Sequence, residues 1–437
     1  MLLRFLSRRV GEWPIYSLFL ALGQIIASNS YQVSLITGEI GQSANKLYVV
    51  ASIYLVTTIM WGVLCRTTKA LYCLSLPWAF YGLAFLLIGA APFCSDESAR
   101  GWVQNVATGL YATASSSGAI FFALNFGDEG GSPVETWIWR ACVIQGIQQA
   151  YTVMLWFWGS QISSASAAGT SVGTVPALPV LFPVMLVVAL LLWTCGFIIY
   201  VGLPDYYRQS PDEVPSLYTS ILHRKTTLWF FVAVILQNYF LSAPYGRNWF
   251  YLFSSQHLPV WGAVLLTALF YIVIWAGFLA FFAVVSKRHP WWLPLFALGL
   301  GAPRWAQMLW GTSGFGLYLP WAGSPLGSAI AGRSLWLWLG LLDTIQNAGI
   351  GMILMLTLTR IHVCVAMLIA QVIGSVATIV ARATAPNRVG PGDVFPDLSE
   401  GVGAALGKAW FWVGLALQLL ICVGFFKFFR KEQISKP

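Results

Sequence analysis

The chain has 437 residues, of which 58% are hydrophobic and 9% are charged, and its mean hydropathy is +0.73. Ordinary soluble domains contain about 25% charged residues, so this composition excludes a water-soluble globular protein and indicates that most of the chain lies in a lipid bilayer. The net charge of +9 comes mainly from short loops and tails, where basic residues face anionic lipid, and it does not indicate nucleic-acid binding.

Apolar runs long enough to cross a bilayer, about 20 residues each, follow one another along the chain. They are continuous rather than alternating, which disfavours a β-barrel. The sequence therefore predicts an all-α polytopic membrane protein with about twelve transmembrane helices. The predicted spans are 14–36, 46–65, 70–91, 101–125, 137–158, 178–202, 226–245, 259–285, 291–310, 333–359, 361–382 and 404–428.

A segment rich in proline and charge, 204–225, follows the sixth span. It divides the chain into an N-terminal six-helix half, 1–203, a cytosolic linker, 204–225, and a C-terminal six-helix half, 226–437. The first and seventh spans carry similar polar motifs in comparable places, Asn29-Ser30-Tyr31-Gln32 and Gln237-Asn238-Tyr239. We therefore expect two parallel repeats in a 6+6 arrangement like that of major-facilitator transporters.

The basic residues predict the orientation of the chain in the membrane. An even number of spans places both termini on one side. If that side is the cytosol, fifteen Lys and Arg residues lie in cytosolic segments and six lie outside. Because positive charge is retained on the cytosolic side, this bias predicts cytosolic termini.

Three predicted spans carry stripes of polar side chains. In one span, Gln145, Gln148 and Gln149 share a helical face. In another, Gln346 and Asn347 form a second stripe with the carboxylate of Asp343. A third stripe lies in the first span: Gln24, Ser28 and Gln32. Unpaired polar groups in hydrocarbon are costly, so the stripes are expected to face one another or water. Either they join helices through hydrogen bonds or they line a polar conduit, and we favour the conduit.

One carboxylate, Asp343, lies deep within a predicted span. An ionisable group at that depth is a candidate functional residue. The alternative is a structural ion pair with Arg140 or Arg304, the basic residues within predicted spans.

The segment 301–323 concentrates aromatic and polar residues at the predicted outer end of the ninth span. Trp and Tyr commonly form belts at the membrane interface. Aromatic faces beside amides also suit sugars, because the sugar ring stacks on the aromatic face and the sugar hydroxyls form hydrogen bonds with the amides. Both interpretations stay open for Arg304, Trp305, Gln307, Trp310, Tyr318 and Trp321.

The sequence predicts no catalytic, metal or cofactor site. No segment between spans exceeds roughly 25 residues, whereas a soluble catalytic domain needs at least about 50. The four histidines are far apart and show no metal-binding spacing. An intramembrane transferase is disfavoured because its Gln-x-x-Arg-Trp signature is missing and because His362 stands alone at a span end.

Five long segments resemble the C-terminal multispanning region of fungal cell-wall α-1,3-glucan synthases. They are FFALNFGDEGG (121–131), VETWIWRACVIQGIQQAYTVMLWFWG (134–159), APYGRNWFYLFSSQHLPVWG (243–262), GAPRWAQMLWGTSGFGLYLPW (301–321) and LLDTIQNAGIGMILMLTLTRIHV (341–363). The likeness covers nearly the whole chain.

The resemblance implies a plasma-membrane protein of fungal cell-wall assembly. In that family a cytosolic glycosyltransferase domain makes the polymer, an extracellular amylase-like domain processes it, and the multispanning region exports it. We therefore expect a conduit for nascent α-glucan, with those two domains and the bilayer as partners. The chain holds neither soluble domain, so no catalytic residue is carried over and the chain itself is expected to be non-catalytic. The alternative is a major-facilitator-like carrier of a small polar solute.

Overall fold

The computed structural model describes residues 5–10, 13–36, 44–118, 120, 177–208, 224–241 and 360–384, and part of a helical segment between 413 and 428. A two-residue strand, β1 (Arg9–Val10), pairs antiparallel with β2 (Trp13–Pro14) immediately before the first helix. The long helices are α1 (Ile15–Ile36), α2 (Ala44–Thr67), α3 (Ala70–Ala90), α4 (Glu97–Ser115), α5 (Ala177–Gly202), α6 (Lys225–Leu241) and α7 (Arg360–Thr384).

These helices coincide closely with the first, second, third, sixth, seventh and eleventh predicted spans. The fourth span differs, because α4 begins at Glu97 rather than near 101 and its regular α-helix ends at Ser115 rather than near 125. Asp96 explains the early start: its carboxylate accepts hydrogen bonds from the main-chain N–H groups of Ser98 and Ala99. A carboxylate in this position caps the first turn, and its negative charge interacts favourably with the positive end of the helix dipole. The predicted spans at 137–158, 259–285, 291–310 and 333–359 lie outside the described residues.

Helix length and apolarity match a bilayer. Among the described residues, three segments are long and apolar enough to span: Val49–Thr67 in α2, Ala70–Phe93 in α3 and the 3₁₀ turn that follows it, and Phe182–Gly202 in α5. On α2, Val56, Ile59 and Val63 are exposed at helical spacing. In water such a stripe would be unfavourable, but in a bilayer it faces lipid.

Glycines allow α1, α3 and α5 to approach one another closely. Trp78 of α3 is fully buried, and a Cβ added to Gly23 or Gly196 would overlap it. A Cβ on Gly82 would likewise overlap the indole of Trp193. Helices in lipid associate through such contacts of small residues, because hydrocarbon supplies no hydrophobic driving force between them.

Contacts at the helix ends show which segments lie at the same end of the bundle. Tyr16 at the start of α1 and Tyr207 after α5 are hydrogen-bonded through their hydroxyls, 3.2 Å apart. Nearby, Arg208 donates to the main-chain oxygens of the last turn of α5. Lys225 at the start of α6 lies 5.2 Å from the centroid of the Phe428 ring.

The helix α7 packs against both α2 and α6. A methyl carbon of Leu368 lies 3.8 Å from the position of a Cβ on Gly62. At the far end of α6, the hydroxyls of Tyr239 and Thr384 are 2.9 Å apart. Because α6 and α7 run parallel, and α2 runs antiparallel to them, the beginnings of α6 and α7 lie at the same end of the bundle as the end of α2.

Candidate functional site

The helix α4 changes geometry at its C-terminal end, level with the middle of α2 and α7. The main-chain N–H of Ser117 bonds to Ala114 O at 3.1 Å and that of Ile120 bonds to Ser117 O at 2.9 Å, so both pair three residues back instead of four. This tighter pairing is typical of a 3₁₀ turn. It deprives two carbonyl oxygens, those of Thr113 and Ser116, of the partner that a continuous α-helix would supply.

Side chains from other helices bind the two oxygens. The indole Nε1 of Trp61 on α2 donates to Thr113 O at 2.8 Å, and the Ser116 hydroxyl donates to the same oxygen at 2.8 Å. The amide Nε2 of Gln371 on α7 donates to Ser116 O at 2.9 Å. Because hydrocarbon offers no water to polar main-chain groups, these side chains allow α4 to be interrupted at this depth.

Further hydroxyl and amide contacts surround the interruption. The hydroxyls of Thr57 and Ser116 are 2.7 Å apart, and those of Tyr54 and Ser115 are also hydrogen-bonded. Between α3 and α1, the Tyr81 hydroxyl donates to Oε1 of Gln24 at 3.4 Å. We call these residues the hydroxyl–amide network: Gln24, Tyr54, Thr57, Trp61, Tyr81, Ser115, Ser116 and Gln371.

The network is uncharged, and it lies away from the charged residues of its helices. The sequences of α1 and α3 contain no charged residue. In α2, α4 and α7 the charged residues stand near the ends: Lys46, Arg66, Glu97, Arg100, Arg360 and Arg382. Amides and hydroxyls both donate and accept hydrogen bonds, so such a region suits a neutral, hydroxyl-rich ligand better than an ion.

One member of the predicted first-span stripe has a described side chain. Gln24 joins α1 to α3 through Tyr81, as the helix-association interpretation expects. Its Nε2 is buried and, within the part of the chain that the structure describes, has no hydrogen-bond partner. The amide is therefore only partly satisfied by the helix contact. The side chains of Ser28 and Gln32 lie outside the described set.

The other residues predicted for the site lie outside the residues that the structure describes, and their roles stay predictions. They are Arg140, Gln145, Gln148, Gln149, Arg304, Trp305, Gln307, Trp310, Tyr318, Trp321, Asp343, Gln346 and Asn347.

Apart from Gln24, the network was missed by sequence reasoning, although signals for it exist. Five small residues in succession, 114–118, interrupt the apolar run of the fourth span. On α2, Tyr54, Thr57 and Trp61 follow one another at i, i+3 and i+7 and so share a face. Gln371 is the only amide in the eleventh predicted span.

Comparison with known proteins identifies the family. A family model described as "Mok13-like, transmembrane domain", a twelve-transmembrane (12TM) family, matches residues 4–434. The chain belongs to this Mok13-like family. The resemblance to glucan synthases and the expectation of a twelve-span polytopic protein are thereby confirmed.

Relatives in Schizosaccharomyces pombe are similar over the whole chain. The cell wall alpha-1,3-glucan synthase mok13 is 44% identical over 439 residues, and ags1, of the same description, is 43% identical over 440. Each match covers 99% of this chain and 18% of the relative. The Mok13-like domain described here therefore spans less than a fifth of the length of these relatives.

Solved transporters share the fold. A bacterial homologue of the iron transporter ferroportin, in an outward-facing state, matches with a TM-score of 0.58 at 15% identity, over 94% of this chain and 99% of its own. The E. coli fucose:proton symporter FucP matches with a TM-score of 0.58 at 15% identity, over 95% and 97%. FucP is a major-facilitator transporter, so the expected major-facilitator-like fold is confirmed.

Proposed function

We propose that this Mok13-like domain conducts nascent α-glucan across the plasma membrane as the translocation region of an α-1,3-glucan synthase. One observation carries the proposal: similarity to cell-wall α-1,3-glucan synthases extends over 99% of the chain. A polymer made from a nucleotide sugar in the cytosol must cross the membrane to reach the wall. A twelve-span domain with a transporter fold, within a synthase, is suited to that step.

The chemistry of the hydroxyl–amide network supports this function. A glucan carries many hydroxyls and no charge, so its passage needs hydrogen-bond partners that exchange easily. Amides and hydroxyls offer both donors and acceptors, whereas charged walls would favour ions. The predicted stripes of Gln145, Gln148 and Gln149 and of Asp343, Gln346 and Asn347 extend this lining in the proposal.

The proposal also assigns the two sides of the membrane. Both termini face the cytosol, where a glycosyltransferase domain delivers the growing chain. The aromatic segment 301–323 faces outward, where Trp305, Trp310, Tyr318 and Trp321 guide emerging glucan toward an amylase-like domain. In this arrangement Arg140 or Arg304 lies near Asp343 and keeps it ionised.

The second candidate function is a carrier of a small polar solute. The observation that favours it is the fold, which this chain shares with transporters such as FucP. Such a carrier would use Asp343 to couple transport to protons or to bind the solute. The two functions differ in the size of the molecule that passes.

Transport in liposomes separates the two candidates. We would reconstitute the full chain in vesicles loaded with labelled α-1,3-linked glucose oligosaccharides of increasing length and measure their release. A glucan conduit releases long and short oligosaccharides without a proton gradient, and protein-free vesicles provide the control. Movement of mono- and disaccharides only, driven by a proton gradient, would instead establish the carrier.

A further inference from the structure

The contact between Ser116 and Gln371 differs from the other contact at the α4 interruption. Thr113 O is bound by Trp61, which is fully buried, and by the Ser116 hydroxyl of the same helix. Ser116 O is bound by Gln371, a half-buried side chain that lies 255 residues further along the chain. The first contact joins neighbouring helices α2 and α4, whereas the second bridges α4 and α7 from the other predicted half.

The carbonyl oxygen of Ser116 requires a donor at this depth at all times. The amide of Gln371 meets that requirement in the structure, at 2.9 Å. If Gln371 moves away, another donor, such as water or a hydroxyl of a ligand, must replace it, because leaving a buried acceptor without a partner costs about 1–3 kcal/mol. The contact is therefore stable when closed, and it opens readily only when another donor is present.

The groups that opening would release match a sugar. Ser116 O is an acceptor, the Gln371 amide offers donors and an acceptor, and the half-buried Thr57 hydroxyl lies 2.7 Å from the Ser116 hydroxyl. Neighbouring carbons of a glucosyl unit carry hydroxyls that each donate and accept. The set holds no charged group, and its mixture of donors and acceptors matches vicinal hydroxyls.

We infer that the Ser116–Gln371 contact is a binding site for a glucosyl unit in the membrane interior. A sugar hydroxyl replaces Gln371 as the donor to Ser116 O, and the freed amide binds a neighbouring hydroxyl of the same sugar. This inference rests on the proposed function, since it takes the ligand to be a neutral α-glucan. It adds a site formed by α2, α4 and α7 to those predicted from the sequence.

The test measures binding of a soluble α-1,3-linked glucose oligosaccharide to the purified full chain by titration calorimetry. Gln371→Met keeps the length of the side chain but removes the amide, and Thr57→Val removes the neighbouring hydroxyl. Thr57→Val is expected to bind the oligosaccharide about three- to tenfold more weakly, which corresponds to the loss of one hydrogen bond. Gln371→Met removes one hydrogen bond from the bound state and one from the free state, so its affinity is expected to stay within about threefold of the wild type. The matched control is Thr378→Val, also on α7, whose hydroxyl bonds, among the described residues, to Gly374 O of its own helix. It should bind like the wild type.

The outcomes separate this site from the proposed function. If the wild type binds the oligosaccharide and Thr57→Val binds it equally well, the Ser116–Gln371 contact is structural only and the inference is wrong, while the proposed function stands. If the wild type neither binds nor releases oligosaccharides, the proposed function fails and the site fails with it. Should Gln371→Met not fold, as judged by size-exclusion chromatography, Thr57→Val alone decides.

Discussion

The amide of Gln371 donates a hydrogen bond to the main-chain oxygen of Ser116, 2.9 Å away. The pair shows that helices from the two predicted halves of the Mok13-like domain meet through neutral polar groups. It also shows that a helix from one half is completed by a side chain from the other.

Trp61→Phe tests the other contact of the interrupted helix. The substitution keeps an aromatic ring but removes the hydrogen bond to Thr113 O. Because the Ser116 hydroxyl still donates to that oxygen, we expect the free energy of unfolding to fall by only about 1 kcal/mol. The measurement is the Tm of the detergent-solubilised chain. Trp102→Phe, at a side chain that is 71% exposed, should leave Tm unchanged, and equal Tm values for both variants would contradict the assignment.

Gly196→Ala tests the close packing of α3 and α5. An added methyl would lie 2.6 Å from Cβ of Trp78, so the helices must separate. Overpacking of this kind typically costs about 1–3 kcal/mol. Gly101→Ala is the matched control, because nothing lies within 4 Å of its added methyl and alanine favours a helix. A thermal-unfolding comparison in which Gly196→Ala is as stable as Gly101→Ala would disprove the packing argument.

The double substitution of Gln145 and Gln149 by Leu tests the predicted conduit. Leucine suits a membrane helix, so the protein should fold and insert normally. If the two amides face the path of the glucan, surface α-glucan should decrease while cytosolic synthesis still begins. Cysteines placed at 145 and 149 should then react with water-borne thiol reagents. Normal export, or cysteines that stay unreactive, would make these glutamines helix contacts instead.

Reporter fusions test the topology. Fusions after Pro204 and after Pro437 should both report the cytosol, because the basic residues favour that side. A glycosylation reporter and a cytosolic enzyme reporter at each position give complementary readouts. Opposite sides for the two positions would overturn the six-plus-six arrangement.

The positions of most of the described helices were predictable because they depend on local properties. A run of about 20 apolar residues matches the hydrocarbon thickness wherever it occurs in the chain. The prediction for α5, 178–202, accordingly differs by one residue from the helix Ala177–Gly202. It was less accurate for α4, where Asp96 and the serines at 115–117 set the ends through hydrogen bonds rather than through hydropathy.

The partners of polar residues were not predictable in the same way. A polar stripe shows that side chains share a face, as in Gln24, Ser28 and Gln32, but it does not show what that face meets. In the structure Gln24 accepts a hydrogen bond from Tyr81 of α3, and Gln371 donates one to a main-chain oxygen rather than to a polar side chain of a predicted stripe. No spacing in the sequence marks a carbonyl that lacks a partner.

The amino-acid sequence by itself determined that this protein is a polytopic membrane protein and indicated its family, because composition, run length and long similar segments can be read along the chain. Only the tertiary structure decided that Ser116 and Gln371, 255 residues apart, form one contact. Their meeting depends on where α4 leaves the regular α-helix, on the rotation of α7 about its axis and on the packing of both helices against α2. The physical reason is that hydrocarbon leaves no polar main-chain group without a partner, and the partner is chosen by three-dimensional proximity.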